Sequence, residues 1–177
     1  DWPERWMAWL SGKSILGALL GGYAGVEFAK KLTGYTRPTG DLFAVVAPLG
    51  IFLGRAGCLL HGCCPGVVCS PAWFTIAGAD GKPRWPAVPA EMLFNAVALV
   101  AVLVLRAKKL LPGQHFHLYL MACGAFRFFH EFLRATPRIA GIFSGYQIAA
   151  LAIFLLGAWG FWKRRSEVAE EPVSRII

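Results

Sequence analysis

The stretch DLFAVVAPLGIFLGRAGCLL at Asp41–Leu60 decides the fold of this 177-residue chain. Its length suits a helix crossing a hydrocarbon core of about 30 Å. Backbone polar groups in lipid must be satisfied within the segment, so it must be helical. Yet it carries Arg55. A charged side chain near the bilayer centre costs about 2.5–3.5 kcal/mol on insertion scales, which marks Arg55 as a candidate functional residue.

A second apolar stretch, HFHLYLMACGAFRFFHEFL at His115–Leu133, repeats this combination. It contains Arg127 and Glu131, which are four residues apart and therefore share one helix face. An ion pair between them would ease insertion, but Arg134 follows directly and leaves two arginines for one carboxylate. With Arg55, these residues predict a positively charged cavity that binds phosphate, which arginine recognises through paired hydrogen bonds.

The composition places most of the chain in a membrane. Hydrophobic residues make up 56% and charged residues 16%, whereas soluble domains have about 45–50% and about 25%. Further apolar segments are expected at about Ser14–Ala29, Val88–Leu105 and Gly145–Trp162. We therefore predict an all-α polytopic membrane protein, with about five transmembrane helices around an outward-opening polar cavity.

Charged and aromatic residues at the segment ends divide and orient the chain. Residues 1–13 hold three tryptophans and lack signal-peptide features, so we expect an interfacial segment. Residues 14–163 are expected to form the transmembrane domain and 164–177 a cytoplasmic tail, disordered from Ser166.

The formal net charge is +8, but the basic residues cluster at segment ends, which argues against nucleic acid as a partner. The positive-inside rule places the ends of the first, third and fifth segments in the cytoplasm.

Cysteines are concentrated at the outer end of the second segment, in GRAGCLLHGCCPG at Gly54–Gly66. Thiolates and imidazole are soft metal ligands. One alternative is therefore a metal site formed by Cys58, His61, Cys63 and Cys64, although their spacing matches no standard zinc pattern. A second is a catalytic thiol, because a neighbouring arginine lowers a thiol pKa. A third is a purely structural role in a tight helix end.

Other polar residues have expected environments. His115 and His117 begin a helix near the cytoplasmic interface and are expected to be solvated, while the direction of His130 stays open between lipid and a neighbouring helix. Glu91 either pairs with an arginine or faces water. The loop at Pro65–Pro89 has aromatics and few charges, so we expect it on the membrane surface over the cavity.

Several segments resemble the prolipoprotein diacylglyceryl transferase family of bacterial inner-membrane enzymes. Gly124–Arg134 (GAFRFFHEFLR) is very similar to the family's GAFRF…EF.R segment, and Pro48–Arg55 (PLGIFLGR) resembles its helix ending in GR-x-GN-F. Ser14–Gly22 (SILGALLGG) resembles S-F-HGGL-x-G. Weaker similarities link Pro89–Phe94 to HPSQLYE and Gly145–Gln147 to a GQ pair.

The resemblance implies a reaction and its partners. Family members transfer the diacylglyceryl group of phosphatidylglycerol to the lipobox cysteine thiol of a prolipoprotein, and glycerol phosphate leaves. Arg55 and Arg127 fall on the arginines that hold the lipid phosphate, and we add Arg134 to this set. Glu131 falls on the acidic residue of the last motif. Expected partners are the membrane, a phospholipid similar to phosphatidylglycerol and a thiol-bearing acceptor peptide, with no cofactor.

The chain also departs from the family pattern. The family's histidine falls at Leu16, which cannot move a proton. Its asparagine in GR-x-GN-F becomes Cys58, and the tyrosine upstream of its arginine becomes Cys123. His61 and Cys63 stand at the asparagine and glutamate of the following N-G-E segment. The resemblance is therefore to a divergent, cysteine-rich member.

These departures set the catalytic candidates. We expect His61 or Glu131 to act as the base and Cys58 or Cys63 as a nucleophile. Two other classes of protein stay open. One is a thiol-redox or soft-metal membrane protein, and the other is a phospholipid-binding relative without catalysis.

Overall fold

The computed structural model describes residues 15–35, 39–136 and 144–170, with side chains described up to residue 164. The chain divides into two compact units, and the first ends at Arg37. Its described part is α1 (Ile15–Thr33), which carries Leu16 near its start and a Lys30–Glu27 ion pair of 2.9 Å near its end. The interfacial segment expected at residues 1–13 lies outside the described residues.

The second unit is built from helices and one small hairpin. Its α-helices are α2 (Gly40–Leu60), α3 (Ala87–Ala107), α4 (His115–His130) and α5 (Gly145–Glu170). A 3-10 helix, Glu131–Leu133, extends α4. The principal helix contacts are α4 with α5 and α2 with α3, and α4 also contacts α2 and α3. Helix α4 therefore lies at the centre of this unit.

Three of the described helices are long and apolar enough to cross a membrane: α2, α3 and residues Gly145–Arg164 of α5. Their large apolar side chains face outward, with Leu93 67% exposed and Ile148 63% exposed. The charged residues Arg55 and Glu91 on the same helices are buried instead. An apolar exterior over a polar interior is the arrangement that lipid requires. The prediction of a helical membrane protein is confirmed, while the count of five spans stays a prediction.

Close packing of α4 on α5 depends on glycine. A Cβ built on Gly124 would lie 2.7 Å from both the Ala150 carbonyl oxygen and the Phe154 backbone nitrogen. A Cβ on Gly157 would lie 2.8 Å from the His117 carbonyl oxygen. Small residues let helix backbones approach closely in a membrane bundle, and here the two backbones touch.

The start of α4 is fixed by an aspartate from α2. Asp41 Oδ2 accepts a hydrogen bond of 2.7 Å from the Gly113 backbone, and its Oδ1 lies 3.0 Å from His115 Nδ1. The Leu110 carbonyl lies 2.8 Å from His115 Nε2. His115 and His117 are both buried, so the expectation of solvated histidines was wrong. The imidazole of His115 is drawn inward because Asp41 and a backbone carbonyl replace water around it.

The loop between α2 and α3 contains strands β1 (Ile76–Ala77) and β2 (Pro83–Arg84), which pair antiparallel. The Val67 backbone ties this loop to the rest of the unit. Its N–H donates to the Leu133 carbonyl at 3.0 Å, and its carbonyl accepts from Trp85 N–H at 3.0 Å. The loop is thus attached by a backbone hydrogen bond to the 3-10 helix that extends α4.

The end of α5 differs from the sequence expectation. The helix runs to Glu170, so the tail that was expected to be disordered from Ser166 begins as helix. Residues 171–177 lie outside the described residues. The physical reason is that RRSEVAE contains no glycine or proline, so nothing in it ends a helix that the apolar residues have already started.

Candidate functional site

Glu91 of α3 stands at the centre of a buried ion-pair cluster. Its Oε1 pairs with Arg127 and with Arg134 Nη1, the latter at 2.5 Å, and its Oε2 pairs with Arg55 Nε. His130 Nδ1 lies 3.6 Å from the same Oε1. The Glu91 side chain is only 2% exposed. Its charge is therefore balanced by protein groups from α2, α4 and the chain after α4, because water has little access to it.

Glu131 is the second carboxylate of the cluster. Its Oε2 lies 3.2 Å from Arg127 Nη2, which forms the ion pair that the four-residue spacing predicts. Its Oε1 accepts hydrogen bonds from the hydroxyls of Thr136 at 2.7 Å and Ser144 at 3.3 Å. Gln147 in turn accepts from the Ser144 backbone N–H at 2.9 Å. Glu131 is thus held by donors from three directions and fixes the Arg127 guanidinium.

We call Arg55, Glu91, Arg127, Glu131 and Arg134 the arginine cluster. Three guanidinium groups face two carboxylates, so the cluster carries one net positive charge. The Nε atoms of Arg127 and Arg134 are buried, and neither has a hydrogen-bond partner in the described part of the chain. A buried site with a net positive charge and guanidinium N–H groups that lack acceptors is suited to binding an anion.

His130 lies beside the arginine cluster. The Trp85 indole N–H, which can only donate, makes a 3.2 Å hydrogen bond to His130 Nε2. Nε2 must therefore carry the lone pair, and the ring proton sits on Nδ1, facing Glu91. The imidazole also stacks on Phe126, with ring centroids 4.9 Å apart. Its direction was left open by the sequence, and the structure turns it toward α3 and the loop.

Three thiols meet at the end of α2. The sulfur atoms of Cys58, Cys63 and Cys64, which we call the thiol group, all lie within 4.8 Å of one another. His61 is exposed and is not part of this group. Arg55 Nη1 lies 3.8 Å from Cys58 Sγ, which joins the thiol group to the arginine cluster. All five cysteines lie in the described part of the chain, and each has a free thiol.

The two thiols beyond the end of α2 differ in acidity. A hydrogen bond with Cys58, together with burial and the Cys64 thiol, raises the pKa of Cys63 to about 11. Burial raises the pKa of Cys64, but Arg134, a hydrogen bond with Cys63 and Arg55 outweigh it and bring that pKa below its usual value. The lowered thiol pKa expected beside the arginines is therefore found at Cys64, and it is not found at Cys63.

A cavity of about 600 Å³ lies beside the thiol group. Its walls come from the end of α2, the β1–β2 hairpin and the start of α3. The lining includes Cys58, His61, Cys63, Cys64, Arg84 and Val88. The cavity thus brings together three of the predicted catalytic residues, whereas Glu131 lies in the arginine cluster.

Sequence reasoning left Glu91 out of the candidate site, although it is the residue on which the arginines converge. Two hydrogen bonds connect the backbone of Glu91 to α4. The Asn95 amide donates to the Glu91 backbone carbonyl at 2.8 Å, and Tyr119 donates to Asn95 Oδ1 at 2.8 Å. A lone carboxylate within an apolar run was the available signal. The cost of placing charge in a membrane, which singled out Arg55, applies equally to Glu91.

Helices with apolar exteriors around a buried charged cluster define a multi-pass membrane protein. The chain belongs to the prolipoprotein diacylglyceryl transferase family, whose model matches residues 3–163. No solved structure matches the chain.

Curated relatives agree with this membership. A phosphatidylglycerol–prolipoprotein diacylglyceryl transferase of Pseudoalteromonas atlantica is 33% identical over 140 residues, covering 77% of this chain and 50% of the relative. The protein of the same name from Geobacter sulfurreducens is 33% identical over 156 residues, covering 84% and 60%. The one from Gloeobacter violaceus is 32% identical over 185 residues, covering 97% and 68%. The chain thus spans between about half and two thirds of the length of these relatives.

Proposed function

We propose that this protein is a membrane transferase that moves the diacylglyceryl group of phosphatidylglycerol onto the cysteine thiol of a prolipoprotein. The arginine cluster is the observation that carries the proposal. Arg55, Arg127 and Arg134 converge from three parts of the chain and leave one net positive charge. A phosphodiester carries one negative charge, so this lipid headgroup is matched to the cluster. The names of the relatives supply the donor and the acceptor.

In the proposed reaction, negative charge develops on the phosphate that leaves. The acceptor thiolate attacks the glycerol carbon of the diacylglyceryl group, a C–S bond forms, and the C–O bond to phosphate breaks. Glycerol phosphate leaves with a second negative charge on its phosphate. Arg55, Arg127 and Arg134 would stabilise that charge in a buried, preorganised setting. The acceptor thiol proton goes to a base.

The geometry favours His61 over Glu131 as that base. His61 is exposed at the cavity, where an acceptor peptide has access. Glu131 already accepts from two hydroxyls and pairs with Arg127, so it is better placed to position that arginine. A covalent route through Cys63 is less favoured, because its raised pKa keeps the thiol protonated. Cys58 stays a candidate nucleophile.

A phospholipid-binding relative without catalysis is the second candidate. Leu16 favours it, since the resemblance puts the family's histidine at this position and leucine cannot transfer a proton. Such a protein would keep the arginine cluster and its lipid but would lack turnover.

One assay tests both candidates. Purified protein in detergent would receive phosphatidylglycerol and a lipobox peptide, and the release of glycerol phosphate and the mass of the peptide would be followed. Arg127→Ala should slow release by about 100-fold or more, as expected when a donor to developing charge is lost. Arg106→Ala is the matched control, because Arg106 contacts the Asp41 carbonyl at the opposite end of α3.

The outcomes separate cleanly. Release that disappears in Arg127→Ala and persists in Arg106→Ala supports the transferase, and His61→Ala then tests the base. Lipid binding without release, in folded protein, supports the relative without catalysis. Equal lipid binding by Arg127→Ala and the unaltered protein would contradict the role of the arginine cluster in both candidates.

A further inference from the structure

In the direct transfer favoured above, the acceptor brings its own thiol, so that reaction needs none of the three thiols of the thiol group; Cys58 would enter only through the covalent route. We propose that Cys58, Cys63 and Cys64 form a binding site for one soft metal ion with a filled d shell, of the Zn²⁺ and Cu⁺ class. Thiolates are the preferred ligands of such ions. The site lies beside the arginine cluster and is distinct from it.

The sulfur positions fit a shared ion. Zn–S bonds are about 2.3 Å long, which puts sulfurs around one trigonal ion about 4 Å apart. The three sulfurs already lie within 4.8 Å of one another. Each thiol therefore needs only a small side-chain movement, and no movement of a helix, to reach a common centre.

The turn after α2 supports this arrangement before any ion binds. The Cys63 backbone N–H donates to the Cys58 carbonyl at 3.1 Å, which folds the chain back onto the helix end. Gly62 has φ 61° and Cys64 has φ 60°, both in the left-handed region. That region is uncommon for a residue with a side chain, and strained backbone of this kind concentrates at functional sites. In this protein the left-handed backbone at Gly62 and Cys64 turns the chain so that the Cys64 thiol lies close to that of Cys58.

The neighbouring arginines do not repel the bound metal ion, because the ion together with its three thiolates carries a net negative charge. Three thiols release three protons to solvent on binding and no electron is transferred. Zn²⁺ with three thiolates then carries one negative charge, and Cu⁺ with three thiolates carries two. The arginine cluster carries one net positive charge, and Arg55 Nη1 lies 3.8 Å from Cys58 Sγ. The arginines would therefore stabilise the metal–thiolate complex.

An ion can reach the thiol group from outside the protein. Cys63 is exposed, and all three cysteines line the cavity of about 600 Å³. His61 also lines this cavity but stands outside the thiol group. The four-ligand set expected from the sequence is therefore reduced to three thiolates, and the cavity beside them has room for a water molecule as a fourth ligand.

Metal loading of the full chain tests the site. Reduced protein in detergent would be stripped with a chelator, loaded with Zn²⁺ alone or Cu⁺ alone, desalted and analysed for metal per chain. We expect one ion per chain in at least one arm, and competition between the two ions then identifies the preferred one. Cd²⁺ offers an independent readout, since its thiolate complexes have a charge-transfer absorption.

Single substitutions assign the ligands. Loss of a residue that only hydrogen-bonds a metal ligand commonly weakens metal binding by about 10–100-fold. Loss of a ligand itself should weaken binding by at least that much, and we expect this effect in Cys58→Ser, Cys63→Ser and Cys64→Ser. Cys69→Ser is the matched control, because Cys69 is half-buried but is not part of the thiol group. Alkylation of the unaltered protein gives a second measurement that needs no variant. Bound metal should protect the three thiols and leave Cys69 reactive.

Two results would overturn the proposal. One is reduced, folded protein that retains neither ion and gives no cadmium–thiolate absorption. The other is metal binding with equal affinity in Cys64→Ser and Cys69→Ser, together with unprotected thiols in the alkylation experiment. Neither result depends on turnover with phosphatidylglycerol, so failure of the metal site and failure of the transferase function are distinguishable.

Discussion

Arg127 of α4 and Glu91 of α3 form an ion pair whose side chains are 9% and 2% exposed. The same carboxylate also pairs with Arg55 and Arg134. A buried charge that loses its partner costs far more than an exposed one, because water cannot replace the lost partner. Glu91 is consequently the residue on which the stability of the arginine cluster depends most.

Replacement of Glu91 tests this dependence. Glu91→Gln removes the charge but keeps the size, so three guanidinium groups would face Glu131 alone. We expect a loss of about 3–5 kcal/mol in the free energy of unfolding, the usual cost of breaking a buried pair. Denaturant unfolding of the detergent-solubilised protein measures it.

An ion pair with an exposed carboxylate provides the control for Glu91. Arg84 Nη2 and Asp80 Oδ2 are 2.8 Å apart on the hairpin, and Asp80→Asn should leave stability unchanged. The double variant Glu91→Gln with Arg127→Met should recover part of the loss, because one unpaired charge is removed with its partner. Equal stability of Glu91→Gln and Asp80→Asn would refute the central role of Glu91.

Glycine at the α4–α5 contact leads to a second prediction. Gly124→Ala places a Cβ 2.7 Å from backbone atoms of Ala150 and Phe154, which cannot move without separating the helices. Overpacking of this kind commonly costs about 1–3 kcal/mol. The shift in thermal unfolding midpoint of the purified protein measures the effect.

Gly50→Ala is the matched control, because nothing lies within 4 Å of a Cβ at Gly50 in the interior of α2. The intrinsic helix preference of alanine over glycine, about 1 kcal/mol, should make this variant at least as stable as the unaltered chain. If Gly124→Ala is as stable as Gly50→Ala, the close approach of α4 and α5 is incorrect.

Asp41 carries a third prediction. Its carboxylate accepts from the Gly113 and His115 backbones at 2.7 and 3.4 Å, so it fixes the first turn of α4 from α2. Asp41→Ala should cost about 1–2 kcal/mol of stability, in the range of other lost helix caps. Asp41→Asn keeps an oxygen acceptor and should lose less. Proteolysis near Gly113 gives a local readout, and equal cleavage of all three proteins would count against the contact.

The helices were predictable because their signal is local. The expected segment Asp41–Leu60 differs by one residue from α2, and Gly145–Trp162 starts where α5 starts. A run of apolar residues bounded by charged residues or by glycine is enough to predict a membrane helix and its start. The end is less well defined, since α5 continues past Trp162 to Glu170. The pairing of Arg127 with Glu131 was predictable for the same reason, since four residues along one helix fix the geometry.

The centre of the site was not predictable from local patterns. Glu91 contacts Arg127 and Arg134 across sequence separations of 36 and 43 residues, and no spacing rule connects such positions. The buried environment of His115 likewise depends on Asp41, which comes from another helix. Contacts of this kind are fixed only when helices pack, so composition and periodicity indicate the charged residues but not their partners.

The orientation of the bundle gives the last prediction, because the positive-inside rule assigns opposite sides to the two ends of α3. The basic residues that follow α3 should be cytoplasmic, and the thiol group at the other end should face outward. A variant that keeps only Cys63, which is exposed, should react with a membrane-impermeant maleimide in intact bacterial cells. A cysteine-free variant carrying Lys108→Cys, also at an exposed position, should react only after the cells are permeabilised. Labelling of Lys108→Cys in intact cells, with Cys63 labelled only after permeabilisation, would invert the orientation. It would also move the cavity to the cytoplasmic side, away from an acceptor peptide that arrives from outside.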